Sequence, residues 1–256
     1  MNYMQGNYKI KAVRRLTQTV YDIDIYCPEM TAVSKPGQFV HIRCGEKTLR
    51  RPISICGINK QEGIMRLVYE VRGEGTAWLA KQAEGGSLDI LGPLGNGFTL
   101  GNTERKVLFV GGGIGVPPLL ETSKVFGTNA VSILGFRNKE AVILKEDFES
   151  ICGAVYITTD DGSCGHHGFV TDVLKDCLAQ GRFSEIFACG PTPMLKNVSA
   201  LAKEYHTPCQ VSLEERMGCG VGACLVCACK TRENGQEHMR HVCKNGPVFN
   251  AEEVVW

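Results

Sequence analysis

The chain has 256 residues, 43% of them hydrophobic, and a formal net charge of +1. That length allows two or more domains with their own cores, and the balanced charge argues against nucleic acid or an anionic membrane as partner. Apolar runs are only strand-length and the N-terminus lacks an apolar signal core, so neither a membrane span nor secretion is predicted. Since no secretory signal is predicted, the 13 cysteines are expected to be reduced thiols and not disulfides, which indicates a cytoplasmic location.

The first part of the chain, to about residue 100, is predicted to be a small antiparallel barrel. Val20–Tyr26 alternates apolar and polar residues with period 2, as a half-buried strand does. Similar short strands, separated by turns, are predicted at 38–43, 49–58 and 64–71. A short helix is predicted over 76–83. Short strands at this density indicate a barrel.

The pattern changes near residue 102. Fully apolar strands are predicted at 107–110, 130–134, 154–158 and 185–189, with helical stretches between them. This alternation indicates a parallel, doubly wound sheet. From residue 211 the chain becomes rich in Cys and Gly. The sequence therefore predicts an α+β multidomain protein with three parts, 1–101, 102–210 and 211–256.

A glycine-rich turn follows the strand at 107–110 and opens a helix. Gly111, Gly113, Gly115 and Pro118 lie in it, where backbone N–H groups at a helix start suit a pyrophosphate. The turn is not the full G-x-G-x-x-G motif. A purely steric role for the glycines is the alternative.

The last apolar strand ends at Cys189 and Gly190, with Thr192 as predicted N-cap and Pro193 as first helical residue. Ligands of doubly wound sheets bind at the carboxyl ends of strands. Cys189 and Gly190 are therefore placed where a nicotinamide could rest. A small buried side chain is the equal alternative for Cys189.

Four cysteines near the C-terminus have the spacing C-x4-C-x2-C followed by a distant fourth: Cys219, Cys224, Cys227 and Cys243. This is the spacing of plant-type 2Fe–2S proteins, and the interleaved glycines let the backbone fold closely around a cluster. A structural zinc site is the alternative, although zinc usually takes two C-x2-C pairs. Cys229 is a rival ligand outside the spacing.

Three further motifs lie in the barrel region. Arg51, Pro52, Ile53 and Ser54 form a strand segment whose Arg can pair with a pyrophosphate and whose Ser can bind a flavin ring. The run Gly73-Glu-Gly75-Thr76 begins the short helix and is a second candidate anion site. Leu91-Gly-Pro-Leu-Gly95 follows on the next strand.

Together with the glycine turn and Cys189-Gly-Pro, these motifs resemble the ferredoxin–NADP reductase superfamily, which joins an FAD-binding barrel to a pyridine-nucleotide domain. The C-terminal cysteine segment narrows the resemblance to the electron-transfer subunits of NAD-linked, B-type dihydroorotate dehydrogenases. The resemblance covers essentially the whole chain. It implies that FAD is held by two barrel strands and the short helix: Arg51, Pro52, Ile53, Ser54, Val68, Tyr69, Glu70, Gly75 and Thr76.

The resemblance also implies that the glycine turn binds NAD. The local sequence alone does not distinguish NAD from NADP. Arg137 and Glu140 both follow the next strand, and an Arg there suits NADP whereas a carboxylate suits NAD. The run 160–167 is read as a nucleotide-domain loop, with a metal site of Cys164, His166 and His167 as the alternative.

No residue pair resembles a general base for a small organic acid. The family resemblance implies a partner instead, an FMN-containing dihydroorotate dehydrogenase catalytic subunit, with two copies of each chain. Electrons would reach NAD+ through the cluster and FAD. Residues 211–256 are the expected docking segment, with Val254, Val255 and Trp256 as apolar anchors or as residues that dock on their own domain. The alternatives are the small subunit of an NADPH-dependent ferredoxin oxidoreductase or sulfide dehydrogenase, and a non-enzymatic redox sensor.

Overall fold

The computed structural model describes residues 3–256, and the chain divides into two compact units. The barrel unit contains the chain up to Gly97 together with Glu214–Cys229 and Arg240–Pro247. The α/β unit contains Phe98–Leu213, Lys230–Met239 and Val248–Trp256. The boundaries predicted at 101/102 and 210/211 stay predictions.

Six antiparallel strands close into a barrel in the order β1-β2-β5-β4-β3-β6. Closure leaves no free sheet edge. Alternating residues fill the interior, and Ile23, Ile25 and Ile55 are completely buried there. Two short helices accompany the barrel. The elements are β1 (Met4–Arg15), β2 (Val20–Tyr26), α1 (Pro28–Val33), β3 (Phe39–Ile42), β4 (Arg51–Asn59), β5 (Ile64–Glu70), α2 (Glu74–Leu79) and β6 (Ser87–Leu94).

The α/β unit contains a seven-stranded sheet in the order β10-β9-β8-β7-β11-β12-β15. All neighbouring pairs are parallel except β12 with β15. The elements are β7 (Val107–Gly112), α3 (Pro117–Phe126), β8 (Ala130–Phe136), α4 (Lys145–Glu149), β9 (Ala154–Thr159), β10 (His166–His167), α5 (Val170–Gln180), β11 (Ile186–Cys189), α6 (Thr192–Glu204), β12 (Cys209–Ser212) and β15 (Val248–Asn250).

The strand order reverses between β7 and β11, because β8, β9 and β10 extend the sheet on one side and β11 and β12 on the other. In doubly wound sheets the crevice at the carboxyl ends of such a pair is where ligands bind. Gly111 of β7 is in register with Cys189 of β11. The sheet therefore places the glycine turn beside the Cys189-Gly190 segment.

The predicted α+β multidomain fold is confirmed, with two local corrections. The helix expected over 76–83 spans Glu74–Leu79, since the next residues make tighter turn bonds such as Gln82 N–H to the Leu79 carbonyl. Thr192 is the first residue of α6 and not its N-cap. Pro191 takes the capping position because its extended backbone, with ψ of 143°, is not helical.

A two-stranded hairpin, β13 (Ala228–Glu233) and β14 (Gln236–His241), lies between the third and fourth cysteines of the motif. Val254 and Trp256 pack, partly buried, against the core of the α/β unit. Across residues 3–256, every helix falls short of the length and apolar character that a membrane crossing requires.

Candidate functional site

The four motif cysteines lie in two pairs within the barrel unit. The Cys219 and Cys224 backbone N–H groups each donate to the other residue's Sγ, over 3.3 and 3.4 Å. The Sγ atoms of Cys227 and Cys243 are 3.2 Å apart. Two irons that share two sulfides need two thiolates each, so paired thiols match a binuclear cluster.

A single tetrahedral zinc would need its ligands around one point. Within the described chain, residues 3–256, no three His, Cys, Asp or Glu side chains are grouped around one such position. The pairing of the thiols and their plant-type spacing favour a 2Fe–2S cluster over mononuclear zinc. Cys229 lies on β13, where burial raises the pKa of its thiol to about 11.

The loop backbone is arranged to hold negative sulfur. Burial acts to raise the pKa of Cys219, but N–H groups of Val221, Cys224 and Ala223 point at its sulfur and lower the pKa to about 6. Burial and the neighbouring Cys227 sulfur raise the pKa of Cys243. Donors aimed at sulfur are the groups that tune a cluster's potential.

The fourth cysteine is anchored to the end of the barrel by Asn96. The Asn96 amide nitrogen donates to the carbonyls of Lys244 and Asn245, at 3.1 and 3.0 Å. Its backbone N–H donates to the Gly246 carbonyl at 2.7 Å. These bonds fix the turn that follows Cys243, so both cluster-binding segments belong to the unit that carries the flavin motif.

In the candidate flavin site, the Arg51 guanidinium lies directly over the backbone of Gly75. A Cβ at Gly75 would be 2.5 Å from Arg51 Nε and 2.9 Å from its Cζ. The Thr76 hydroxyl closes this turn by accepting N–H bonds from Arg72 and Gly73. A positive charge beside the first turn of a helix suits a pyrophosphate, so these residues fit FAD.

The other candidate flavin residues have different environments. Pro52 and Ser54 are half-buried on β4 and Glu70 pairs with Arg72 at 2.6 Å. Ile53, Val68 and Tyr69 are buried, at 8%, 3% and 1% exposure. The Tyr69 hydroxyl has no hydrogen-bond partner among the described residues. Their roles at a flavin stay predictions.

Replacing Arg51 with Ala is expected to weaken FAD retention. The change removes a charge-assisted bond to phosphate, which contributes about 1.5–3 kcal/mol, or roughly a 10- to 150-fold affinity. Flavin released during ultrafiltration measures the effect. Arg232→Ala is the control, since Arg232 lies on β13 in the α/β unit and its guanidinium pairs with Glu237 at 2.7 Å. Equal FAD retention by both variants would remove Arg51 from the site.

The glycine turn at the switch point combines an open face with a tight packing contact. Gly113 has φ of +54° and no atom within 4 Å of the position of a Cβ. A Cβ at Gly115 would lie 2.5 Å from the Cys189 carbonyl oxygen and 2.6 Å from Gly190 Cα. Pro118 lies in the first turn of α3. The turn is thus pressed onto the end of β11 while Gly113 leaves room for a ligand, as a dinucleotide requires.

Cys189 itself is 2% exposed. This agrees with the alternative that it is a small buried side chain.

Hydrogen bonds within the run 160–167 and to the end of β9 hold it in a closed loop. Asp161 accepts from the backbone N–H and the hydroxyl of Ser163. The Thr159 hydroxyl donates to the Cys164 carbonyl and accepts from the Cys164 N–H. The run follows β9, at the same edge of the sheet as the glycine turn. This favours the loop interpretation over a metal site.

Sequence reasoning did not identify two residues that contact the cluster segments, Asn96 and His41. Asn96 follows the Leu-Gly-Pro-Leu-Gly motif, two residues beyond the end of β6, and this position was the available signal. His41 is one residue of an apolar strand, and nothing in its local pattern indicates a contact with residues near 220.

Comparison with known proteins agrees with this geometry. Residues 214–255 match the iron–sulfur cluster binding domain of dihydroorotate dehydrogenase B. The chain is 44% identical over 259 residues to the dihydroorotate dehydrogenase B (NAD(+)) electron transfer subunit of Bacillus velezensis, covering 98% of each chain. It is 42% identical to the corresponding subunit of Shouchella clausii, covering 100% of each.

Among solved structures, a chain of the NADH-dependent reduced ferredoxin–NADP oxidoreductase, studied for flavin-based electron bifurcation, superposes with a TM-score of 0.87 at 36% identity, covering 97% of this chain and 90% of that one. A ferredoxin NADP+ reductase from Neisseria gonorrhoeae with bound FAD and NADP shares the fold, at a TM-score of 0.65 and 18% identity over 78% of this chain and 91% of the other. Because it is 42–44% identical to these curated relatives over nearly the full length of each chain, the chain belongs to the family of electron transfer subunits of dihydroorotate dehydrogenase B (NAD(+)).

Proposed function

We propose that this chain connects an FMN-containing dihydroorotate dehydrogenase catalytic subunit to NAD+, in a cytoplasmic complex with two copies of each chain. The overall reaction is dihydroorotate plus NAD+ giving orotate, NADH and a proton. The catalytic subunit removes two electrons and two protons from dihydroorotate, and NAD+ takes up both electrons and one proton. FAD supplies the exchange between single electrons and a hydride, and the 2Fe–2S cluster supplies one-electron transfer.

The observation that carries the proposal is that both cysteine pairs belong to the barrel unit. A one-electron carrier and a flavin site on one compact unit form a relay whose spacing does not depend on domain motion. In this relay, the chain's own residues bind and orient. Arg51 offers its charge to the FAD pyrophosphate, the N–H groups around Cys219 stabilise thiolate, and the turn at Gly113 receives the dinucleotide.

The small subunit of an NADPH-dependent ferredoxin oxidoreductase is the second candidate, because a chain of a related enzyme, the NADH-dependent reduced ferredoxin–NADP oxidoreductase, is 36% identical over 97% of this chain. The curated relatives have higher identity, at 39–44%, which favours the dihydroorotate role. The two candidate functions differ in partner, and a preference for NADPH would fit only the second.

Coenzyme preference tests whether the chain is a subunit that uses NADPH. With an artificial electron acceptor, the purified chain is expected to oxidise NADH far faster than NADPH, and the flavin that it releases is expected to be FAD and not FMN. Steady-state kinetics with both coenzymes and chromatography of the released flavin measure this. A clear preference for NADPH would transfer the proposal to the second candidate, whereas no reaction with either coenzyme would favour the redox sensor.

We place the docking face for the catalytic subunit at the tip of the cluster loop. Cys224 is the exposed member of the four cysteines, and the next two residues, Leu225 and Val226, are 60% and 57% exposed. Leu225 also has a positive φ of 61°, a conformation that Leu rarely adopts. Apolar side chains held outward next to the exposed ligand suit a protein partner that must approach the cluster.

Replacing Leu225 with Glu is therefore expected to weaken the complex by about 10-fold or more, because an apolar anchor becomes a charge that the interface must desolvate. Affinity for the catalytic subunit is measured by titration, after iron content shows that the cluster is intact. Tyr156→Glu is the control, since Tyr156 is 45% exposed on β9, outside 211–256. Undiminished affinity of the Leu225 variant would place the interface elsewhere.

A further inference from the structure

The barrel contains a buried histidine that the proposed electron route does not yet use. His41 of β3 is 0% exposed. Within residues 3–256, neither Nδ1 nor Nε2 makes a hydrogen bond of good geometry. Leaving a buried polar group unpaired costs roughly 1–3 kcal/mol, so a residue of this kind calls for a functional explanation.

The surroundings of His41 connect the two cofactor sites of the barrel unit. On one side, β3 pairs with the flavin strand β4, and His41 is in register with Pro52. On the other side, the imidazole lies against the cluster loop. A Cβ at Gly220 would be 2.6 Å from His41 Nδ1 and 3.3 Å from Cε1. Gly220 also has φ of +75°, so glycine alone suits both its backbone and this contact.

The backbone carbonyl of Cys219 faces the imidazole. The carbonyl of Arg50 also faces the ring. A neutral imidazole has one N–H donor and one acceptor nitrogen. His41 can therefore direct one N–H toward a backbone carbonyl of either the cluster loop or the flavin strand.

We propose that His41 is a positioning residue that joins the cluster loop to the flavin strand, and that its imidazole dipole helps to set the reduction potential of the cluster. This inference rests on the proposed function. Reduction adds one negative charge to the cluster, and nearby N–H dipoles stabilise that charge and raise the potential. Removing the imidazole removes such a dipole and also the surface on which the Cys219–Gly220 backbone rests.

The test compares His41→Phe and His41→Leu, which remove the nitrogens, with His41→Asn, whose amide can occupy the place of Nδ1. Ile42→Val is the matched control, because Ile42 is a buried apolar neighbour on the same strand. FAD and iron contents are measured first. The midpoint potential of the cluster is then measured by a redox titration followed by electron paramagnetic resonance, and cluster reduction by NADH is followed by stopped flow.

In the apolar variants, the midpoint potential is expected to become more negative, the resonance g values to change, and cluster reduction to slow by about 10-fold. His41→Asn is expected to recover most of the wild-type values. Wild-type potential and g values in an apolar variant with full FAD and iron would overturn the proposal.

If both apolar variants lose the cluster, the Asn variant decides. Cluster retention by His41→Asn supports the positioning role, and loss in all three variants contradicts it. Failure of the proposed function would look different, since the wild-type protein itself would then lack a cluster that NADH can reduce.

Discussion

Replacing any one of Cys219, Cys224, Cys227 or Cys243 with Ala is expected to abolish the visible absorbance of the cluster and all electron transfer beyond the flavin. Each iron of the pair requires two thiolates, and the structure supplies two pairs with no spare sulfur within either. Iron and sulfide analysis of the purified variants measures the loss. NADH-dependent reduction of the flavin should persist, because it does not pass through the cluster.

Cys229→Ala is the matched control. Cys229 is half-buried on β13 and lies two residues beyond Cys227. It therefore belongs to the same C-terminal segment but to neither of the two cysteine pairs. The Cys229→Ala variant should retain its full iron content. Iron loss in the Cys229 variant together with full iron in one of the other four would contradict the ligand assignment.

The second large effect is expected from Gly115→Ala. Its new Cβ would lie 2.5 Å from the Cys189 carbonyl oxygen and 2.6 Å from Gly190 Cα, and backbone atoms cannot rotate away as a side chain can. The end of β11 or the glycine turn must move, at a cost of about 1–3 kcal/mol. If the dinucleotide binds there, the KM for NADH should rise by roughly 10- to 100-fold.

Gly101→Ala controls for the general effect of adding a methyl group to the same unit, since only Glu185 Oε2, at 3.8 Å, is near its Cβ position. Thermal unfolding of both variants separates a folding defect from a binding defect. A Gly115 variant that is stable and has the wild-type KM for NADH would place the dinucleotide site elsewhere.

Local patterns predicted the parts of the fold whose signals are local. The period-2 alternation of Val20–Tyr26 matched β2, and the fully apolar run at 107–110 became the central strand of the parallel sheet. The cysteine spacing likewise indicated four residues that the structure brings together in two pairs. In each case the physical requirement, a buried face or converging thiolates, appears within one short stretch of sequence.

What the sequence did not reveal depends on contacts between distant residues. Asn96 holds the turn after Cys243 through backbone carbonyls, and carbonyls have no sequence signature. His41 contacts the loop at Gly220 because the segment 214–229, distant in sequence, packs within the barrel unit. Val248–Asn250 adds an antiparallel edge strand next to β12, although the motif around it indicated only a cluster segment.

The central claim, that the chain completes an electron route from a catalytic subunit to NAD+, is tested most directly by reconstitution. The purified chain is mixed in increasing amounts with an FMN-containing dihydroorotate dehydrogenase catalytic subunit, and NADH formation from dihydroorotate and NAD+ is followed by absorbance. The account predicts no activity from this chain alone and saturable activity with the partner. Dihydroorotate oxidation by the isolated chain, or no NADH formation from a complex that contains FMN, FAD and the cluster, would contradict it.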